Sequence, residues 1–126
     1  VIVDAGVLVS VDRGDRAALS FRIAAERAGH DLHTTAPVVA QVWRSGSQQA
    51  RLASFLKTVT IHPFDELDGR RVGEILGAAG TTDTTDAHLV VTAAHLGLGI
   101  VTGDTADIEL LAACLPTAGP LVQRWP

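Results

Sequence analysis

Three aspartates stand where an acid is hard to explain as ordinary surface. Asp4 ends the apolar run Val1-Ile2-Val3, and Asp104 follows Gly99–Thr102 in a similar relation. In open α/β sheets ligands collect beyond the C-terminal strand ends, so both acids fall where a site belongs. Thr102 precedes Asp104 by two, the spacing that returns a side chain to the same side of a strand. The plainer reading is that each acid caps the helix after it, aspartate being a favoured N-cap. Asp86 is the third. On a helical wheel through Thr84–Leu96, Ala87, Val90, Val91 and Ala94 form one apolar face, and Leu89, Ala93 and Leu96 a second. Asp86 falls between those sectors, away from a polar strip of His88, Thr92 and His95. A carboxylate placed there must be desolvated, paired or bound to a cation. The competing account is first-turn dipole stabilisation, with Asp83 as cap and Asp86 three residues on.

Gln41 is a different kind of candidate. A helix from Pro37 to about Ser45 carries Val38, Val39, Ala40, Val42 and Trp43 around most of its circumference, leaving Gln41, Arg44 and Ser45 as a thin polar seam. That seam faces either something polar or plain solvent. His88 and His95 read as a solvated stripe, and Asp12, Arg13, Asp15 and Arg16 as a charged loop and first turn. Asp107 reads as a cap or flank of the last long helix, with lining of the acidic site as the alternative. Cys114 reads as core.

The elements that must position these residues alternate. The pattern predicts strands at Val1–Val3, Leu32–Thr35, Val59–His62, Leu98–Thr102 and Leu121–Gln123. Between them it predicts a helix from Asp15 to Gly29 with an Ala17, Phe21, Ala24, Ala28 stripe, then the Pro37 helix and one over Gln48–Lys57. Helices at Asp65–Gly77, Thr84–Leu96 and Ala106–Leu115 follow, the first weakened by Gly69, Gly73 and Gly77, each costing about 1 kcal/mol relative to alanine. Such alternation implies one α/β domain over residues 1–126, a parallel sheet with helices on both faces.

Composition excludes several classes. The 126 residues are 47% hydrophobic and 19% charged, which argues for a folded core and against disorder. A single cysteine rules out a disulfide framework and a thiolate zinc site. No apolar run reaches the roughly 18 residues a membrane span needs. The start lacks a basic segment, so it does not read as a signal peptide, and a first residue other than methionine suggests a trimmed start. A soluble, cytoplasmic protein is expected. The formal charge of −4 weighs mildly against nucleic-acid binding through the overall field. There is no G-x-S-x-G elbow, Walker A loop or dinucleotide glycine fingerprint.

Four blocks in register carry a resemblance: Val1-Ile2-Val3-Asp4-Ala5-Gly6-Val7-Leu8, Ala36-Pro37-Val38-Val39-Ala40-Gln41-Val42-Trp43-Arg44, Thr85-Asp86-Ala87-His88 and Ile100-Val101-Thr102-Gly103-Asp104. Together they span nearly the whole chain and resemble the PIN-domain ribonucleases, especially the VapC toxins of bacterial type II toxin–antitoxin pairs. The resemblance implies a single PIN-like domain and a divalent-metal-dependent endoribonuclease with an acidic pocket. Its acids match Asp4, Asp86 and Asp104, which would be the metal ligands. The family's second acid, commonly glutamate, falls at Gln41, a neutral amide that offers an oxygen but no charge.

Hard ions such as Mg²⁺ or Mn²⁺ prefer oxygen ligands, and clustered carboxylates supply them. Family two-ion chemistry would place the ions about 3.5–4 Å apart. With Gln41 in place of an acid, one firmly held ion and a weak or absent second are expected. The resemblance also implies an RNA substrate, a homodimer and an antitoxin that wraps the chain and inserts a side chain, often arginine, into the pocket. Gln41 keeps open a degenerate PIN fold that binds protein or RNA without cutting. A receiver-like or phosphatase-like domain using Asp4 as phosphoryl acceptor fits less well, because Lys57 is the only lysine and no second acid stands beside Asp4.

Overall fold

A computed structural model describes all 126 residues. Five short strands, β1 (Ile2–Val3), β2 (His33–Thr35), β3 (Thr60–His62), β4 (Ile100–Thr102) and β5 (Val122–Arg124), form one parallel sheet in the order β3-β2-β1-β4-β5. Seven helices connect them: α1 (Ala5–Arg13), α2 (Arg16–Ala28), α3 (Ala36–Val42), α4 (Ala50–Leu56), α5 (Glu66–Ala79), α6 (Thr84–Leu96) and α7 (Thr105–Ala112). Parallel strands need such crossovers, and β1 shows why the sheet must be covered twice. Ile2 and Val3 point to opposite faces and both are fully buried. No helix is long and apolar enough to cross a membrane.

The strand order puts a topological switch between β1 and β4. From β1 the chain winds outward through β2 to β3, then returns to lay β4 on the other side of β1. At such a switch the loops leave in opposite directions and a crevice opens at the C-terminal strand ends. Asp4 and Asp104 follow the two strands that flank it.

Three local expectations are corrected. Two helices, not one, follow β1. Residues Val7, Leu8, Val9 and Val11 favour extended chain locally, but Asp4 starts a helix at once and buries Val7 and Leu8 completely. Gly14, at φ 73°, closes that helix in a backbone conformation a Cβ would strain. The buried side of α2 is Ala18 and Ala25 with Phe21 half-buried, while Ala17, Ala24 and Ala28 are exposed. Alanine carries too little apolar area to fix a helix's rotation from sequence. The helix α3 stops at Val42, where Trp43 turns extended with ψ 133°. Arg44 then folds back, its guanidinium donating to the carbonyls of Ala40, Gln41 and Trp43. Arg44 and Ser45 therefore lie beyond the helix and do not form a helical seam with Gln41.

The glycine-rich α5 forms nevertheless. Asp65 accepts from the Asp68 N–H at 2.8 Å and Asp68 accepts from the Asp65 N–H at 3.1 Å, a reciprocal cap on its first turn. Its buried face, Val72 and Ile75, packs against α6. That contact changes α6 as well. Residues 86–93 are buried all round, including His88 at 0% and Thr92 at 8% exposure, so the supposed solvated stripe is interior up to His95. His95 alone of that stripe is exposed.

Candidate metal centre

Asp4 is the only residue between β1 and α1, and its position leaves its carboxylate little freedom. One oxygen accepts from the Ala5 N–H at 2.7 Å and the other from the Thr102 hydroxyl at 2.7 Å. Thr102 is fully buried, and its oxygen in turn accepts from the Asp104 N–H at 3.0 Å. The chain Asp104 N–H to Thr102 hydroxyl to Asp4 carboxylate thus ties together two acid-bearing loops almost a hundred residues apart. A bond ending on an ionised carboxylate is among the stronger kinds. Asp4 is both an N-cap and a wall of the crevice, so the two sequence readings of this residue are compatible.

Asp86 arrives from the other direction. Asp83 caps α6, accepting from the Asp86 N–H at 3.0 Å, and so places Asp86 at the third helical position. Its residue is 9% exposed. Desolvation pushes its carboxyl up to about 7, helped by the charge of Asp83, then Asp4, then Asp104. Asp104 begins α7 without capping it, and Asp107 follows in the first turn. A hydrogen bond with Asp104, and then the charge of Asp104, raise the Asp107 carboxyl as well.

The three carboxylates of Asp86, Asp104 and Asp107 offer oxygens that all lie within 4.8 Å of one another. Around Mg²⁺, with metal–oxygen bonds of about 2.1 Å, neighbouring ligands stand about 3 Å apart and opposite ones about 4.2 Å, so the three oxygens would draw together on a shared ion. The donor set is all oxygen, anionic and destabilised by its own repulsion, which is what a hard divalent ion relieves. The positive ends of α6 and α7 point into the same crevice and offset part of that repulsion.

The structure therefore gathers Asp86 and Asp104 directly, with the Asp4 carboxylate anchored beside them through Thr102. Gln41 is exposed in the last turn of α3 and its side-chain amide makes no hydrogen bond. Two contributors were harder to see. Asp107 needed the direction of α7, which sequence does not give, although an acid three residues past Asp104 was a signal for it. Thr102 served the sequence argument only as a spacer, yet it is the hydrogen-bonded link.

The sequence matches the PIN domain family over residues 1–112. Among curated proteins none matches. VapBC2 from Rickettsia felis, solved on a DNA fragment from its promoter, has a chain that superposes with a TM-score of 0.74 at 14% identity, over 99% of this chain and 98% of that one. A toxin–antitoxin complex from Klebsiella pneumoniae gives 0.68 at 20% identity over 84% and 88%. FitAcB from Neisseria gonorrhoeae gives 0.67 at 19% identity over 97% and 95%. At these identities the likeness is one of fold.

Proposed function

The chain belongs to the PIN-domain family, and from that membership and its crevice we propose that it is a divalent-metal-dependent endoribonuclease, the toxin of a cytoplasmic toxin–antitoxin pair. The observation that carries the reading is the convergence of Asp86, Asp104 and Asp107 within 4.8 Å beside Asp4. Asp4, Asp86 and Asp104 are the assigned ligands for Mg²⁺ or Mn²⁺, and Asp107 joins them. A bound ion supplies a water of lowered pKa and stabilises charge on the scissile phosphate.

The chain's own residues set the conditions for this. Thr102 fixes where the Asp4 carboxylate stands relative to the Asp104 loop. Asp86, at about 7, holds a proton near neutral pH that cation binding displaces, so metal affinity rises with pH through that range. Gln41 occupies the family's second acidic position and, being neutral, favours one firm ion over two. The structural relatives that are toxin–antitoxin complexes support a cognate antitoxin as partner, and the family resemblance adds a homodimer.

A cleavage assay on purified protein tests the reading. RNA should be cut with Mg²⁺ or Mn²⁺ and not with EDTA. Asp86→Asn should abolish cutting, and Gln41→Glu should preserve or raise it. The neutral Gln41 favours one other reading, a PIN fold that binds without cutting. No cleavage of any RNA together with no metal binding would favour that alternative, and cleavage indifferent to EDTA would end the metal mechanism.

A further inference from the structure

A crevice walled by Asp4, Asp83, Asp86, Asp104 and Asp107, on a chain of net charge −4, repels the polyanion proposed as its substrate. A metal ion answers for one phosphate only. A cation of the chain beside the crevice can hold the next phosphate, and several arginines are engaged elsewhere. Arg22 and Arg70 are spent on Glu26 and Glu66 one helical turn away. Arg44 is spent on the carbonyls that end α3.

Arg124 is placed differently. It is the last residue of β5 and pairs in register with Thr102, the residue that links the Asp4 and Asp104 loops. Its guanidinium donates to the Thr105 hydroxyl at 3.3 Å, on the residue directly after Asp104. It is exposed and forms no ion pair, although acids stand on the very element it touches. Most of its five donors are therefore unspent.

The strand beneath it is held rigidly. The Trp125 N–H donates to the Thr102 carbonyl at 2.7 Å, and the indole N–H donates to the Ser10 hydroxyl at 3.1 Å. The indole meets Phe21 edge-on, with centroids 5.4 Å apart. It also lies so close to Gly6 that an added Cβ there would stand 3.4 Å from its ring. A planar donor fork on a fixed strand end suits a phosphate better than a mobile lysine would.

We propose that Arg124 is a substrate-binding residue, gripping an RNA phosphate next to the one at the acidic cluster. The inference rests on the nuclease reading, and its test separates the two. Steady-state cleavage of a labelled RNA oligonucleotide is measured for wild type, Arg124→Ala and Arg124→Lys across 50–200 mM KCl. For Arg124→Ala, KM should rise about tenfold with kcat little changed, the worth of one charged hydrogen bond. The slope of log affinity against log salt should fall by about 0.7, the loss of one single-strand phosphate contact. Arg124→Lys should recover the slope and part of the affinity. Mn²⁺ affinity by calorimetry should not move. An unchanged KM and salt slope would overturn the proposal, as would a fall in Mn²⁺ affinity, which would make Arg124 an organiser of the acids. If wild type cuts nothing, the nuclease reading fails by itself. Anisotropy of the same RNA then decides on Arg124, with equal binding by wild type and Arg124→Ala counting against it.

Discussion

Like titratable groups crowd together in two places in this molecule, with opposite outcomes. At the crevice the carboxylates of Asp86, Asp104 and Asp107 converge, and burial and mutual repulsion push Asp86 up to about 7. Across β2, β3 and α6 the imidazoles of His33, His62 and His88 lie near one another, and desolvation before all else pushes His33 and His88 down. Both shifts disfavour the charged form. The imidazoles of His33 and His88 reach their neutral form simply by standing at physiological pH, so that region is complete as folded. The carboxylates are held together by no such neutrality, since Asp86 gives up its proton at about 7 among other acids, and the crevice gains from a cation as the imidazole region does not. The contrast separates a packed polar interior from a binding site more sharply than burial alone, since Asp86 and His88 are both buried on one helix.

The largest expected effect breaks the contrast at Asp86. Asp86→Asn should reduce cleavage by two orders of magnitude or more while raising the stability of the metal-free protein at pH 8. The sign follows from linkage. Between about pH 4 and 7 the folded state holds a proton on Asp86 that the unfolded chain has released, so stability falls as pH rises through that window. Above it the ionised carboxylate costs up to a few kcal/mol, and an amide avoids that cost. Thermal melts at pH 8 should show a gain of several degrees, about what 1–2 kcal/mol yields in a domain of this size. At pH 4 the gain should vanish. A variant that melts lower than wild type at pH 8 would mean the acids are not in conflict.

The next effect completes the crevice instead. Mn²⁺ should stabilise wild type by about 2.7 kcal/mol at one hundred times its Kd, and EDTA should reverse this. The increment should shrink when the pH is dropped from 8 to 6, because Asp86 then retains its proton. The same melts on Asp86→Asn should show little metal response. A metal response of full size in that variant would move the ion elsewhere.

How far sequence reached differs between the two regions for a physical reason. Asp86 was legible because the apolar residues of Thr84–Leu96 surround it on the wheel, and a carboxylate among them contradicts its neighbours. His88 was not, because the same wheel puts it beside Thr92 and His95, and only the docking of α5 turns that strip inward. Its ring meets Phe64 with centroids 4.6 Å apart, and Asp68 stands 3.6 Å from Nε2, too far for a hydrogen bond. Alternating strands and helices specified the parallel sheet. The helix α1 was hidden because Val7, Val9 and Val11 have strand propensity, and the fold overrides it by burying Val7 and Leu8. Asp104 was readable from its strand, whereas Asp107 depends on where α7 points.

A smaller effect tests whether His88 is the neutral interior group the contrast requires. Neither of its ring nitrogens has a hydrogen bond. An apolar replacement breaks no hydrogen bond, and at pH 8 the neutral ring gains little from Asp68, so His88→Leu should cost little there. Its folded pKa lies below the usual 6.5, so wild type loses stability as pH falls below 6.5 and the leucine variant loses less. Melts at pH 8 and pH 5.5 should therefore converge or cross. A variant that is severely destabilised at both pH values would make the imidazole a packing element whose shape, not neutrality, matters.

The smallest effect concerns the outer pair, and it sharpens what neutral crowding means. His33 Nδ1 and His62 Nε2 lie 2.9 Å apart with ring planes only 10° apart. The ring centroids are 5.1 Å apart, close to that contact plus the two ring radii, so the rings meet edge to edge in nearly one plane. Such a bond needs one proton between the nitrogens. A second proton brings two imidazolium charges together and removes the acceptor. Since His33 titrates below the usual 6.5, through burial first and His62 second, the bond's contribution is present above that value and lost as pH falls below it. His33→Phe keeps a flat ring of similar breadth without the bond. It should cost about 1 kcal/mol at pH 8 and less at pH 5, read by urea melts at each pH. Ring-nitrogen shifts of His33 should report the same transition directly. An equal cost of His33→Phe at both pH values would show that the two rings touch without sharing a proton. The likeness between the two crowded regions would then be confined to His88.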